Sequence, residues 1–444
     1  FKFQDNKSFD IQKIGQISFL LGVFLLASAV GISIIFLLIS VIISCLKFKD
    51  FFKDKWNYPF MFSSIFMLLS TFFHFQNSKY LPVKNIDPNL SLVGLINWIP
   101  LFLCFWAFQS YLNTQQKRVL TGKTLIYGSI PVIFSGILQL LNINGPFELF
   151  NGLIVWFQKP ISDIGSLSGL FNNQNYAGLW MVMVWPFCLC ELTKKNRNFL
   201  KKLIIFLVSS SFTTFIFLTD SRNALLGLII STPIVLGTSS LIWYLPTLII
   251  VFLFLAIAVI PIFPDSLQIF MKSIIPSRLY TLFPEVGFQY FGSYPRVIKW
   301  LSAFNFIFER PIFGWGAASF PIIYRLKSGE WFGHAHNLPL ELALSYGIIP
   351  SITIFTTYII ILFLAFKKLL NTEKILKEPY LLSYKRAWFA SSLIFFLSHL
   401  VDIQYFDVRI SIFCWILLAG LKTFLEDKEK VEEEIEPEIN FLFR

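Results

Sequence analysis

The segment His334-Ala335-His336-Asn337 places two imidazoles two positions apart, just before the apolar run that opens with Leu338-Pro339-Leu340-Glu341. A neutral imidazole near pH 7 can take the proton from an attacking hydroxyl, which makes His336 a candidate general base. Two histidines could also chelate a metal. No third ligand is evident, however, and the spacing is not that of a helical zinc pair. The plain alternative is a solvated surface pair. His74 and His399 stand near the ends of apolar runs and are assigned to structure.

Arginine supplies the second chemistry. Arg222 lies in Thr219-Asp220-Ser221-Arg222-Asn223, where one apolar run ends and the next begins. It reads either as a snorkelling side chain paired with Asp220 or as an anion clamp. The planar guanidinium fork suits phosphate, because it donates two parallel hydrogen bonds and never deprotonates. Arg296 follows Ser293-Tyr294-Pro295, and that proline predicts a helix start there. A cation at the positive end of a helix is not favoured by the dipole, which points to an anion as its partner; the alternative is a solvated loop arginine. Phe171-Asn172-Asn173-Gln174-Asn175-Tyr176 is rich in amides just ahead of another apolar run. Those amides can cap a helix or bind a polar ligand.

These groups must be positioned by a membrane scaffold. The chain of 444 residues is 55% hydrophobic and 14% charged, with 53 phenylalanines. A soluble domain is about 45–50% apolar and about 25% charged, so the surplus apolar surface must face lipid. The net charge of +11 sits in short clusters between apolar runs. That is the positive-inside pattern of a membrane protein and not a nucleic-acid footprint. Five cysteines lie inside apolar segments and suggest neither a zinc site nor a disulfide framework. No cleavable signal peptide is evident.

Apolar runs predict about twelve helical spans: two between Ile14 and Leu46 split near Ser28–Gly31, then 58–75, 94–112, 124–141, 174–192 and 203–219. Two more lie between Asn223 and Pro264 with a turn near Gly237–Ser240, and the last three near 341–366, 386–401 and 408–424. Lysine and arginine alternate along the connections so that both termini fall in the cytoplasm. Arg222, Asn172–Asn175, residues 262–339 and Asp402–Asp407 then share the outer side. The organisation expected is 1–261 with about nine spans, a long outer loop 262–339 folded back with one or two helices, 340–425 with about three spans, and a charged cytoplasmic tail 426–444. A connection as long as 262–339 is usually functional or disordered, and its aromatic content argues for folding.

Four stretches occur in the order seen in one family: Gly169-Leu-Phe-Asn-Asn-Gln-Asn-Tyr-Ala-Gly178, Asp220-Ser-Arg-Asn-Ala-Leu225, Arg296 through Pro311-Ile-Phe-Gly-Trp-Gly316, and His336-Asn-Leu-Pro-Leu340. Through them the chain resembles the O-antigen ligase-related superfamily of integral-membrane glycosyltransferases. The resemblance implies an all-α, GT-C-like membrane fold with a long, partly helical periplasmic loop. It also implies metal-independent transfer of a glycan from a polyprenyl-pyrophosphate carrier of the undecaprenyl type to a glycolipid acceptor such as lipid A core, in lipopolysaccharide biosynthesis at the bacterial inner membrane. No cofactor and no nucleic acid are implied. On that pattern Arg222 and Arg296 steady the pyrophosphate and His336 activates the acceptor hydroxyl. Asn172, Asn175 and His334, together with Arg278 and Arg325, which no motif marks, are candidate helpers in substrate binding. Glycan polymerases share the pattern and differ in acceptor. Relatives labelled as inorganic-carbon transporters share the Asn-rich and Ser-Arg segments but have no histidine at the position of His336.

Overall fold

The computed structural model describes residues 2–46, 48–76, 86–194, 197–275, 295–375 and 379–427, with backbone alone for 2–10, 164 and 374–375. Inside a bilayer every backbone N–H and C=O must be paired within the chain, and the apolar runs answer that demand as helices. In chain order they begin with α1 (Lys2–Leu25), α2 (Val30–Cys45), α3 (Tyr58–Gln76), α4 (Pro88–Leu95), α5 (Ile99–Gln109), α6 (Gln115–Gly128) and α7 (Ile130–Leu140). After a short β1–β2 hairpin (Phe147–Leu149 and Ile154–Trp156) and the one-turn α8 (Ile161–Ile164) come α9 (Gln174–Thr193), α10 (Phe199–Leu218), α11 (Arg222–Leu236) and α12 (Leu241–Val259). The last seven are α13 (Asp265–Ile274), α14 (Pro295–Glu309), α15 (Phe320–Ser328), α16 (Leu338–Tyr346), α17 (Ile348–Ile375), α18 (Pro379–His399) and α19 (Val408–Glu426). Among the described residues, eight helical stretches are long and apolar enough to cross a membrane, and three shorter apolar helices accompany them. The chain is an all-α membrane protein.

Several spans expected as single helices are broken in the middle. Pro100 and Pro131 fall in the first turns of α5 and α7, where a missing N–H costs nothing, so each closes the preceding helix and opens a new one. Small residues set how closely helices cross. A methyl on Gly128 would lie 2.4 Å from the carbonyl oxygen of Phe24, and one on Gly420 would lie 2.3 Å from the Trp388 ring. One apolar core runs from Phe19 to Phe424. At its centre stand α9 and α19, each 83% buried over its most apolar window, whereas α12 is 11% buried and faces outward.

The two ends of the bundle differ in chemistry. At one end Arg118 pairs with Asp427, Arg197 with Glu191, Arg386 with Glu373, and Lys422 with Asp54 at 2.8 Å. The other end carries the starts of α9, α11 and α19 and the finish of α18, and with them the histidine segment.

Residues 262–339 contain three helices among the described residues (α13, α14 and α15), more than the one or two expected. The helices α14 and α15 build a small second core with Ala303, Phe306, Trp315, Phe320 and Leu344. The Pro311–Gly316 stretch docks on the α16–α17 junction: Trp315 N donates to Leu344 O at 2.7 Å, and Ile348 N to Pro311 O at 2.8 Å. Gly347 sits there at φ +97°, where a Cβ would come within 1.9 Å of the Ile312 carbonyl oxygen. Only glycine fits. This docking anchors the C-terminal end of α16, and the histidines lie immediately before its N-terminal end.

Candidate functional site

The turn before α16 is held by its own polar groups. Asn337 caps α16, its Oδ1 accepting from Leu340 N at 3.0 Å, while its Nδ2 donates to Leu400 O at 2.8 Å. The buried Glu341 accepts the Ala335 N–H at 2.9 Å, and Trp300 on α14 donates its indole N–H to His336 O at 3.3 Å. His336 adopts φ +54°, a left-handed conformation uncommon outside glycine. Its N–H donates to His334 Nδ1 at 3.1 Å, and the two rings stand edge to face 4.2 Å apart. Five hydrogen bonds and a ring contact therefore over-determine a strained backbone, which is how functional geometry is usually kept.

His336 Nδ1 lies 2.8 Å from Asp402 Oδ1. That oxygen also accepts from Ile403 N, and Asp402 Oδ2 accepts from Gln404 Nε2 at 2.8 Å. A carboxylate on Nδ1 assigns the proton to that nitrogen and leaves Nε2 with a lone pair, the form a general base needs. Burial pushes the Asp402 carboxyl up. The hydrogen bond and charge of His336, the Ile403 N–H and the Arg296 guanidinium together outweigh burial and hold it below the usual carboxylate range. His334 is different. Burial first, then the neighbouring His336, drop it to about 4 against the opposing pull of Asp402, with smaller contributions from Lys299 and Arg296, so it is neutral at pH 7.

The basic groups of this cluster come from α14. Arg296 and Lys299 are three residues apart and so share a helix face. Arg296 is exposed in the first turn, as the Pro295 signal suggested, and its field reaches both His334 and Asp402. Lys299 is buried, with Nζ 3.5 Å above the Phe332 ring; burial and then Arg296 pull its ammonium below the ordinary lysine range. Arg222 opens α11 and is exposed. Its neighbour Asn223 donates to Ser398 O at 3.4 Å, two residues from the Leu400 carbonyl that Asn337 holds. That chain of contacts puts Arg222 at the same end of the bundle as His336 and Asp402.

The helpers divide. Asn173 caps α9, accepting from Asn175 N at 2.7 Å, while Asn172 is exposed beside it. Arg325 is exposed in the last turn of α15, and Arg278 lies outside the described residues. His74 is buried with polar company that its sequence neighbours do not reveal: Nε2 lies 3.2 Å from Gly314 O and Nδ1 3.4 Å from Ser91 Oγ.

Asp402 and Lys299 are absent from the sequence-based site. Asp402 was visible as an acid on the outer side, but nothing in its spacing tied it to a histidine 66 positions earlier. It corrects the expectation that the histidine pair has no third ligand, because ligand atoms of His334, His336 and Asp402 all lie within 4.8 Å of one another. Two features oppose a cation there. Both Nδ1 atoms already hold hydrogen bonds, to His336 N and to Asp402, and two positive side chains bear on the cluster. The same set suits an anion beside a base.

Residues 204–355 match the family model described as O-antigen ligase, a stretch that contains Arg222, Arg296, His334 and His336. No curated protein matches the chain. Over residues 204–355 the chain is thus similar to the O-antigen ligase family.

Proposed function

We propose that this protein transfers a glycan from a polyprenyl-pyrophosphate carrier to an acceptor hydroxyl at the end of the bundle that carries His336. The family match supports a ligase or polymerase type of membrane glycosyltransferase. The observation that carries the finer reading is the 2.8 Å pair between His336 and Asp402 beside the exposed Arg296.

In this reading His336 Nε2 takes the proton of the acceptor hydroxyl as its oxygen bonds to the anomeric carbon. The bond from that carbon to the phosphate oxygen breaks, and polyprenyl pyrophosphate departs. Arg296 and Arg222 are cations set in place before negative charge grows on the leaving group, which is the arrangement that lowers such a barrier most. Asp402 steadies the imidazolium until the proton passes to solvent. The bases and cations on hand need no metal.

Orientation follows from charge. The positive-inside rule supports a reading in which the Lys- and Arg-rich end is cytoplasmic and the site faces the periplasm of a bacterial inner membrane. Eight helical stretches among the described residues are long and apolar enough to cross a membrane; the twelve-span reading would further need the three shorter apolar helices and Pro379–His399 to cross. A polymerase would use the same groups on a second lipid-linked glycan.

The test is purified protein in proteoliposomes with a polyprenyl-pyrophosphate glycan and either a lipid A core acceptor or a second lipid-linked glycan. Product with the first assigns a ligase and product with the second a polymerase. Absence of both, with folded protein and no release of polyprenyl pyrophosphate, removes the proposal.

A further inference from the structure

A cavity of about 420 Å³ opens at the same end of the bundle, between the α1–α2 turn, the β1–β2 hairpin and the start of α19. It falls within the range of about 300–1,000 Å³ typical of small-molecule sites. Its lining combines two chemistries. Asn172, Asp407 and Arg409 bring an amide, a carboxylate and a guanidinium; Trp156, Phe157 and Phe406 bring aromatic rings. Phe157 is 65% exposed and Phe406 46%, so both rings are free to meet a ligand.

The polar side is built rigidly. Arg409 Nε donates to Asp407 Oδ1 at 2.8 Å, its Nη1 to Leu170 O at 2.8 Å, and its guanidinium lies 3.8 Å over the Phe171 ring. Trp156 is tied by its indole N–H to Ser28 O at 2.9 Å. One backbone turn joins this cavity to the histidine cluster. The turn 402–407 has Asp402 on His336 at one end and Asp407 in the cavity at the other, closed by Asp407 N on Gln404 O at 3.1 Å. Tyr176 on α9 lies within the field of both carboxylates.

A lipid tail has no use for a carboxylate–guanidinium pair, and a free anion has none for exposed aromatic rings. A pyranose ring uses both. Its hydroxyls pair with amides, carboxylates and guanidinium groups. Its polarised C–H face stacks on the negative face of an aromatic ring. We propose that this cavity is a sugar subsite holding the glycan residue next to the reacting bond, on the donor or on the acceptor. The assignment rests on the transfer reading for its place in the reaction, and on the cavity alone for its ligand.

Binding is therefore measured without turnover. Wild-type protein in nanodiscs is presented with methyl glycosides of hexoses and N-acetylhexosamines and followed by saturation-transfer NMR. Ring protons of at least one sugar should saturate. Phe157→Ala combined with Phe406→Ala should weaken the signal about five-fold or more, and Phe406→Tyr should retain it. Absence of saturation, or saturation unchanged in the double variant, overturns the subsite. In the transfer assay the double variant should raise the KM for donor or for acceptor, and the one that rises names the source of the sugar. Both KM values unchanged also overturns it. Sugar binding that persists while no transfer is found would remove the reaction and leave the subsite standing.

Discussion

Asp402→Asn separates the charge of the histidine–carboxylate pair from its geometry. The amide oxygen can take the place of Oδ1, accepting from His336 Nδ1–H and Ile403 N. The new NH₂ group then faces Gln404, whose Oε1 is buried without a partner among the described residues and can turn to accept it. Orientation survives, and what disappears is the negative charge beside the imidazolium formed during proton transfer. Two unit charges 4 Å apart interact by about 4 kcal/mol at an effective dielectric of 20. His336 is 24% exposed, so solvent screening cuts this to roughly half, about 2 kcal/mol. The variant should lose about thirty-fold in kcat with little change in KM. Asp402→Ala also abandons the ring and leaves Ile403 N and Gln404 Nε2 unpaired, so it should lose about 10²–10⁴-fold, the usual range for a general base. Turnover by purified protein in proteoliposomes is the assay, run with two acceptors of different hydroxyl acidity. The loss should shrink with the more acidic hydroxyl, which needs less help from a base. A folded Asn variant with wild-type kcat, or a loss indifferent to acceptor acidity, refutes the positioning role of Asp402.

Arg296→Lys keeps a charge and discards the planar fork, and should raise the donor KM about ten-fold; Arg296→Ala should cost about 10²–10³ in kcat. Exhaustive chelation should leave transfer intact. Loss of transfer restored by a divalent ion would instead assign His334, His336 and Asp402 to a metal. His334 has its folded pKa lowered to about 4, against an ordinary histidine value of 6.5. Its neutral form stabilises the fold fully above about 6.5, and that contribution, at most about 3 kcal/mol, is lost as pH falls from 6.5 towards 4. The melting temperature in detergent should therefore drop over that window, and less steeply in His334→Asn; equal slopes would show that His334 does not report on folding.

The scaffold was largely legible from sequence because lipid imposes a simple code. The break between α1 and α2 at residues 26–29, overlapping the cut expected near Ser28–Gly31, and the turn at Gly237–Ser240 both fall where uncharged stretches too long for one span had to be cut. The internal breaks after α4 and α6 were missed, since hydropathy is blind to a proline that restarts a helix within an apolar run. In the site, Arg296 at a helix start and the Asn-rich helix cap follow from local signals that need only a few neighbours. Asp402, Lys299 and the cavity around Asp407 do not. Each depends on pairings between elements far apart in the chain, such as α16 with the α18–α19 turn, and only the folded chain supplies them. A lysine such as Lys299 inside a helix of mixed polarity carries no mark that distinguishes it from a solvated one until its burial is seen.

The most direct test of the central claim is single-turnover transfer by His336→Gln. Glutamine keeps a polar side chain beside Asp402 but has no basic nitrogen. With lipid-linked donor bound at wild-type affinity, the account predicts that the rate of glycan transfer falls by about 10²–10⁴. Transfer at the wild-type rate by the folded His336→Gln protein would contradict it.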